Sequence, residues 1–557
     1  MSNPEHPAIE PLDHTHRVFN QVPPLADYNP YDGDLALRDG VHREGAAWAE
    51  AELREHGRRC GSAAAIEWGF LANRHKPELL THDRQGRRID QVRYHPAYHE
   101  LMRLGLEAGL HSRPWTDPRP GAQVARAAAC YLQGQVEASH CCPLTMTFAA
   151  VPTLKLTPEI AARWLPGVLA RGYDPRDLPA VQKTALTLGM GMTEKQGGSD
   201  VRANTTRAEP LDAGGSGAAH RLVGHKWFLS APMSDAFLML AHAPGGLSCF
   251  LVPRWQPDGS RNALRLQRLK DKVGNNANAS SEVELQGALG WLLGEEGRGV
   301  AAILEMVALT RFDCIVNSAA AQRQAVSQAV HHANHRSAFG AALIRQPLMR
   351  NVLVDLQLEA EASLALALRL ARALDHPESE AERLLLRLGL PVGKYWVCKR
   401  TPGHVYEAME CLGGNGVVEE FVLARLYRDA PINAIWEGSG NIQALDVLRV
   451  LDKSPAALDA WFAELDCTAG AESLLDAAVA RLKAALAEAG QREYRARALV
   501  GDLALTLQAS LLLRAGCAPV AKAFIRSRLG GRGHLYGDLP RGLDVGAIVA
   551  RGDPLGA

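Results

Sequence analysis

From residue 46 to about residue 180 apolar positions recur every three or four residues, in stretches such as AWAEAELREHG and YHELMRLGLEAGL. That period predicts amphipathic helices, broken by Pro-rich segments such as SRPWTDPRPG. Between about 190 and 290 the pattern shortens to β-type runs, HRLVGHKWFLS, DAFLMLAHA, SCFLVPRW and NALRLQRLK, parted by Gly-, Asn- and Asp-rich clusters. Such runs predict a small antiparallel sheet or barrel. Long helical periods then return at 299–338, 347–374 and 378–400, and a further helical section runs to about 530, ahead of the Gly-rich LGGRGHLYGDLPRG. Residues 1–45, rich in Pro, Asp, Asn and His, read as an extended arm. The order predicts four domains: arm and helical domain (1–185), β domain (186–292), helical bundle (293–451) and a C-terminal helical domain (452–557).

Composition narrows the partners. Lys and Arg total 61, as do Asp and Glu, so a nucleic-acid or membrane surface must be sought in a local patch. The ten cysteines are scattered with no CxxC pair, which argues against a metal module or a disulfide framework and for a reducing compartment. The stretch MSNPEHPAIEPLDHTHR lacks the apolar core of a signal peptide, and the apolar run VAAILEMVALT stops at Arg311. The expectation is a soluble, cytoplasmic protein without a membrane partner.

Five short stretches carry candidate chemistry. In GMGMTEKQGGSDV (189–201) clustered Gly and Ser let backbone amides approach an anion, and Thr193 and Ser199 add hydroxyls. GHKWFLS follows, with Trp227 and Phe228 in a strand and Ser230 at its end, as a flat cofactor with a polar edge would need. HRSAFGAALIRQ sets Arg336 and Phe339 three residues apart, which predicts one helix face. ECLGGNG (410–416) is a glycine turn after a helix. Last, PINAIWEGSGNIQ puts Glu437 between Trp436 and a Gly-Ser-Gly turn. Alone, Glu437 reads equally as an acid at a helix start, where the dipole favours it.

In this order and spacing the five stretches resemble the acyl-CoA dehydrogenase superfamily, over about 120–450. The variants MTEKQGGSDV and NAIWEGSGN, the arm and the added C-terminal domain resemble the branch linked to the bacterial adaptive response to DNA alkylation. The resemblance implies a mainly α fold with a central β-barrel: an N-terminal helical domain, the barrel, a four-helix bundle and an extra C-terminal helical domain. It also implies bound FAD and a homotetramer. Met192, Thr193, Ser199, Trp227, Phe228 and Ser230 would contact the flavin. Arg336, Phe339, Gln346, Gly413 and Gly414 would reach the FAD of a neighbouring subunit. Trp436, Ser439 and Asn441 would line the cofactor beside Glu437, the catalytic base. Lys195-Gln196-Gly197 replaces the family's usual Pro-Gly-Ala, which alters the surface there.

The assigned chemistry gives Glu437 its purpose. Dehydrogenating a thioester removes a weakly acidic α-proton, and a carboxylate in a dry pocket beside Trp436 is expected to have a raised proton affinity. The C-terminal segment adds a second theme: residues 481–541 hold eleven basic side chains against four acidic, a net of +7. KAFIRSRLGGRG sets Lys522 and Arg526 along one helix face, with Arg528 beside them. Together with Arg449, Arg514 and Arg532 they form the candidate surface for double-stranded DNA, read by phosphate contacts without sequence specificity. The expected function is that of an FAD protein with weak or vestigial acyl-CoA dehydrogenase activity that binds DNA and protects it from alkylating agents or detoxifies them. The alternative is a metabolic short- or branched-chain acyl-CoA dehydrogenase whose C-terminal domain serves oligomerisation.

Overall fold

The computed structural model describes residues 18–556 apart from 213, 489 and 532–534. Arg532 and the first seventeen residues of the expected arm therefore lie outside the described residues. The arm is extended only to Asp34, whose side chain accepts from the Leu37 amide and caps α1 (Leu35–Arg43). Helices α2 (Glu50–Cys60), α3 (Ala63–Arg74), α4 (Pro96–Glu107), α5 (Arg113–Thr116), α6 (Ala122–Val136), α7 (Cys141–Lys155) and α8 (Pro158–Val168) form the N-terminal domain. A hairpin the periodicity did not predict, β1 (Glu78–His82) and β2 (Arg88–Arg93), interrupts them.

Seven strands follow: β3 (Leu188–Gly191), β4 (Arg207–Pro210), β5 (Ala219–Ser230), β6 (Ala236–Ala243), β7 (Gly246–Pro253), β8 (Leu264–Leu269) and β9 (Ser280–Leu293). Pairing runs β6-β4-β5-β9-β7, and β7 pairs back with β6, so the sheet closes into a barrel with β3 and β8 on its margins. Inward positions of β5 such as Leu222, Lys226 and Leu229 are buried, whereas Arg221 and Val223 face out.

The bundle comprises α9 (Gly299–His335), α10 (Pro347–Asp375), α11 (Glu380–Glu410), α12 (Val422–Asp429) and α13 (Gly440–Lys453). Cys398 Sγ donates to the Cys314 carbonyl at 3.4 Å and Gln322 Nε2 to Thr401 Oγ1 at 3.0 Å, so α9 and α11 run parallel. In the opposite sense, Arg400 meets Glu359 and His404 meets the Leu356 carbonyl, which makes α10 antiparallel to α11. Arg126 of α6 forks onto both oxygens of Asp313 at 2.7 Å, joining the first domain to α9 through a buried pair.

Helices α14 (Ala456–Asp466), α15 (Ser473–Ala487), α16 (Arg492–Arg514), α17 (Ala518–Arg528) and α18 (Val545–Gly552) make the C-terminal domain. Helix α16 is long and apolar enough to span a bilayer, but most of its apolar length is buried inside the protein. The domain packs on α10, α11 and α13. The architecture is thus mainly α around a central barrel, with a fourth, helical part, as expected.

Candidate active site

Two loops from opposite domains frame the site. On the barrel side, Glu194 turns back on Gly197 and buries its carboxylate against Lys226 Nζ at 2.8 Å. Lys226 also donates to the Leu240 carbonyl at 2.7 Å, and Glu194 accepts from the Thr205 and Thr206 amides. Burial pushes the Glu194 carboxyl up, but the Lys226 ammonium outweighs it and holds it at about 2. This pair ties the 192–206 loop to β5. As a result Trp227 N–H donates to the Thr193 carbonyl at 2.9 Å, and Gly198 lies so close to Thr193 that a Cβ would stand 2.4 Å from its hydroxyl. Met192 sits at the base of the loop, held by Asn204, and Ser199 is exposed on its rim.

The aromatic strand differs from simple alternation. Between the pairs Lys226–Val283 and Leu229–Ser281, β5 has one residue more than β9, a β-bulge at Trp227-Phe228. A bulge re-aims side chains, and here both rings meet the same cation, Lys270 Nζ, which lies 3.4 Å from the Trp227 centroid and 4.7 Å from that of Phe228. Phe228 remains 50% exposed. In the turn that departs from the family pattern, Lys195 covers the Trp227 ring at 5.7 Å and Gln196 braces Glu194 at 2.9 Å.

On the bundle side, Glu437 has φ +56°, a left-handed conformation that costs a non-glycine residue roughly 1–2 kcal/mol. Its Oε2 accepts from Thr310 Oγ1 of α9 at 2.7 Å. Three donors fix the backbone around it. Arg311 Nε bonds the Glu437 carbonyl at 3.2 Å, Gln443 Nε2 bonds the carbonyls of Glu437 and Gly438 at 3.0 Å, and Lys394 Nζ bonds those of Trp436 and Gly438 at 2.6 and 2.7 Å. Trp436 points its indole N–H at Asn433, 2.9 Å away. Ser439 is the N-cap residue of α13, and Asn441 Oδ1 accepts from Arg497 of the C-terminal domain at 2.8 Å.

Groups from both sides act on Cys142, at the start of α7: burial pushes its thiol up to about 11, Lys272 and Ser230 pull it down, and the charge of Glu437 pushes it up. Lys272, pushed down to about 8 by its own burial, donates to the Asn278 carbonyl and to Ser280 Oγ, the neighbour of Ser230. Pattern reading missed Thr310, Lys394, Lys226, Cys142 and Lys272. The available signal was a lone charged residue inside an apolar helix, VGKYWV, and inside a strand, GHKWF.

The other predicted contacts stand elsewhere. Helix α9 ends at His335, and Arg336 and Phe339 share no helix face. They belong to a hairpin in which Ser337 pairs with Ala342 and Ala338 with Ala341. Phe339 and Gly340, at φ +52° and +78°, form its two-residue turn, and positive φ at both positions is what such turns require. Arg336 Nη1 donates to the Asn20 carbonyl, Phe339 is fully exposed, and Gln346 Nε2 reaches the Ala338 carbonyl. This hairpin lies 25 residues along α9 from Thr310, about 38 Å at 1.5 Å per residue. The Gly413-Gly414 turn closes the parallel helix α11 at the same end of the bundle. Neither can touch a ligand at Glu437 of its own chain.

The basic patch also needs correction. Arg528 is buried and donates to Asp355 and, at 3.3 Å, to Glu359. Arg514 pairs with Glu464, and Arg492 with Asp452 at 2.9 Å. Much of the excess charge of 481–541 thus neutralises acids of neighbouring helices. Lys522 stays exposed, half-buried Arg526 donates to the Arg541 carbonyl at 3.0 Å, and Arg449 faces solvent beside Asp446 at 3.3 Å.

Residues 189–288 match the acyl-CoA dehydrogenase middle domain, 297–451 the acyl-CoA dehydrogenase C-terminal domain, and 20–175 the adaptive response protein AidB N-terminal domain. Over 521 residues, 93% of this chain and 95% of the relative, the sequence is 50% identical to the putative acyl-CoA dehydrogenase AidB of Escherichia coli K12. The chain belongs to the acyl-CoA dehydrogenase family. The crystal structure of Caenorhabditis elegans ACDH-11 in complex with C11-CoA superposes with a TM-score of 0.83 at 27% identity, covering 92% of this chain and 93% of that one. The apo form of Bd2924 gives 0.82 at 29% identity, over 89% of this chain and 99% of that one. An acyl-CoA dehydrogenase family member is an FAD-dependent oxidoreductase. The residues present fit that cofactor: a half-exposed phenyl ring at a strand bulge, hydroxyl side chains on the adjoining loop and, on the bundle side, a carboxylate held by Thr310.

Proposed function

We propose that this chain dehydrogenates an acyl-CoA thioester with Glu437 as the base. The reading is carried by one observation: in a chain of this family, Glu437 is a carboxylate gripped by Thr310 Oγ1, on a left-handed backbone that Arg311, Lys394 and Gln443 hold in place. When bound, FAD supplies the acceptor for the β-hydride. Glu437 takes the α-proton onto a carboxylate oxygen, the Cα–H and Cβ–H bonds are lost, and the thioester leaves as a 2-enoyl product. Thr310 holds the carboxylate, while Met192, Thr193, Ser199, Trp227, Phe228 and Ser230 receive the flavin beside Trp436, Ser439 and Asn441. The named relatives, one of them bound to C11-CoA, support an acyl-CoA as the substrate. The test is anaerobic flavin reduction by butyryl-, octanoyl- and C11-CoA; a colourless protein that cannot be reconstituted with FAD overturns the reading.

Arg336, Phe339, Gln346, Gly413 and Gly414 serve a neighbouring subunit's FAD in this reading, because their own chain's site is too far away. Arg336→Ala with Phe339→Ala is expected to lower both FAD content and particle mass in light scattering. Unchanged values for both remove these residues from the cofactor site.

A second activity is proposed for the exposed cations. Helix α17 buries Val520, Ala521, Phe524 and Ile525 and leaves Lys522 and Arg526 on its outer side. With Arg449 they offer phosphate contacts to duplex DNA, in keeping with the match to the adaptive response protein AidB N-terminal domain and with the AidB name of the 50% identical relative. In that setting the protein shelters DNA from alkylating agents or detoxifies them. Fluorescence anisotropy with a random 25-base-pair duplex should show affinity falling steeply with salt. Lys522→Ala with Arg526→Ala should flatten the logarithmic salt slope by roughly 2. Salt-insensitive binding, or none at low salt, returns the C-terminal domain to a purely structural role.

A further inference from the structure

Lys394 is a buried ammonium that, among the described residues, has no carboxylate at ion-pair distance; its two hydrogen bonds run to the carbonyls of Trp436 and Gly438, the residues on either side of Glu437. Taking an ammonium out of water costs several kcal/mol unless strong partners compensate, and two charge-assisted bonds to carbonyls are a modest return. What those bonds do is geometric. Glu437 and Gly438 both hold positive φ, at +56° and +97°, so the chain reverses sharply around the acid. A non-glycine residue persists in that region only where its surroundings over-determine it. Pulling the carbonyls of residues 436 and 438 onto one cation fixes the 436–437 peptide plane on the N-terminal side of Glu437 and the 438–439 plane one residue beyond it, with the 437–438 plane held between them. Gln443 and Arg311 then hold the Glu437 carbonyl itself. The donors come from α9, α11 and α13, three helices whose packing is settled by the bundle core, so the loop inherits the rigidity of the bundle.

We propose that Lys394 is a positioning residue for the base: its ammonium sets the left-handed backbone of Glu437 and so the direction in which the carboxylate enters the cleft. Thr310 complements it at the other end of the side chain, donating its hydroxyl hydrogen to Oε2 and so selecting one rotamer of the carboxylate. The inference rests on Glu437 being the base. A misplacement of about 1 Å at a reacting group can cost on the order of 100-fold in rate, and Lys394→Met frees both carbonyls at once.

The experiment uses the FAD-loaded full chain and two probes: a C11 acyl-CoA, for flavin reduction, and 3-thiaoctanoyl-CoA, an analogue whose acidified α-proton can be removed without oxidation. The enolate formed on the oxidised protein is read as a long-wavelength absorption band. For Lys394→Met the expected result is a reduction rate at least about 100-fold lower and a weakened band, with analogue affinity, FAD content and the temperature of FAD release unchanged. Lys394→Gln keeps two N–H donors without the charge, is the gentler variant for folding, and should recover part of the rate. Parent-like rates and band in both variants overturn the inference. So does a rate loss that merely follows a lower FAD-release temperature, which would make Lys394 a packing residue. Glu437→Gln in parallel separates the two readings: if it keeps the band, the base assignment fails, whereas its loss of the band with unaffected Lys394 variants removes only the positioning role. A parent protein that gives neither reduction nor band with these probes overturns both.

Discussion

Glu437→Gln protein is expected to purify with its full FAD content and yet show no flavin reduction by any acyl-CoA that reduces the parent. Gln is the same shape as Glu, its amide oxygen can still accept from Thr310 Oγ1, and the backbone donors Arg311, Lys394 and Gln443 remain in place. Only the capacity to take a proton is lost. General-base catalysis is worth about 10²–10⁴-fold, and α-protons of simple thioesters are weakly acidic, so the upper part of that range is expected. The DNA binding proposed above should not move, because Lys522 and Arg526 lie on α17, in another domain from Glu437. Reduction that persists in the variant would mean another group takes the proton.

Lys226→Met is the second large effect, and it concerns the cofactor rather than the chemistry. Lys226 and Glu194 are both fully enclosed, and their 2.8 Å contact is the closure of the loop that carries Met192, Thr193 and Ser199. Removing one partner of a buried ion pair strands the other charge and costs about 3–5 kcal/mol. The amides of Thr205 and Thr206 cannot replace the missing cation. The loop should loosen from β5, where Trp227 N–H holds the Thr193 carbonyl, so FAD should be released at lower temperature and bound more weakly. The double variant Lys226→Met with Glu194→Gln should recover part of the loss, because it removes the stranded charge. An FAD-release temperature equal to the parent's would show that the pair does not hold the loop.

These two sites also show how far the sequence carries. The base was legible because its neighbours are local: Glu437, Gly438, Ser439 and the helix starting at Gly440 are consecutive, and helix-start chemistry is written in adjacent residues. What holds the base was not, since Thr310 and Lys394 arrive from 127 and 43 positions upstream. Strand β9 escaped notice because Gly287 and Gly290 interrupt its alternation, as glycines in strands do. The Arg336–Phe339 stretch read as helix because helical spacing continues to residue 338, but Arg336 turns extended (φ −95°, ψ 132°) and ends the helix at His335, ahead of the hairpin turn at Phe339. Counting charge over 481–541 misjudged the surface for the same reason. Arg528 answers an aspartate 173 residues away, which no local window can see.

That last contact reaches beyond this one molecule. Asp355, Glu359 and Glu361 lie within two turns of α10, all three enclosed; from the C-terminal domain Arg528 answers Asp355 and Glu359, the Gly537 amide also bonds Asp355, and Arg551 answers Glu361. Burial pushes the Glu359 carboxyl up, but Arg400 and Arg528 outweigh it and hold it at about 2. The C-terminal domain both encloses these acids and supplies arginines to them. A chain cut after Lys453 would keep Arg400 on Glu359 but leave Asp355 and Glu361 without their arginines on the bundle's outer wall. The same three positions become a fingerprint for sorting sequences: acids at all three should travel with a basic helical extension, and apolar residues there should mark dehydrogenases that end with the bundle.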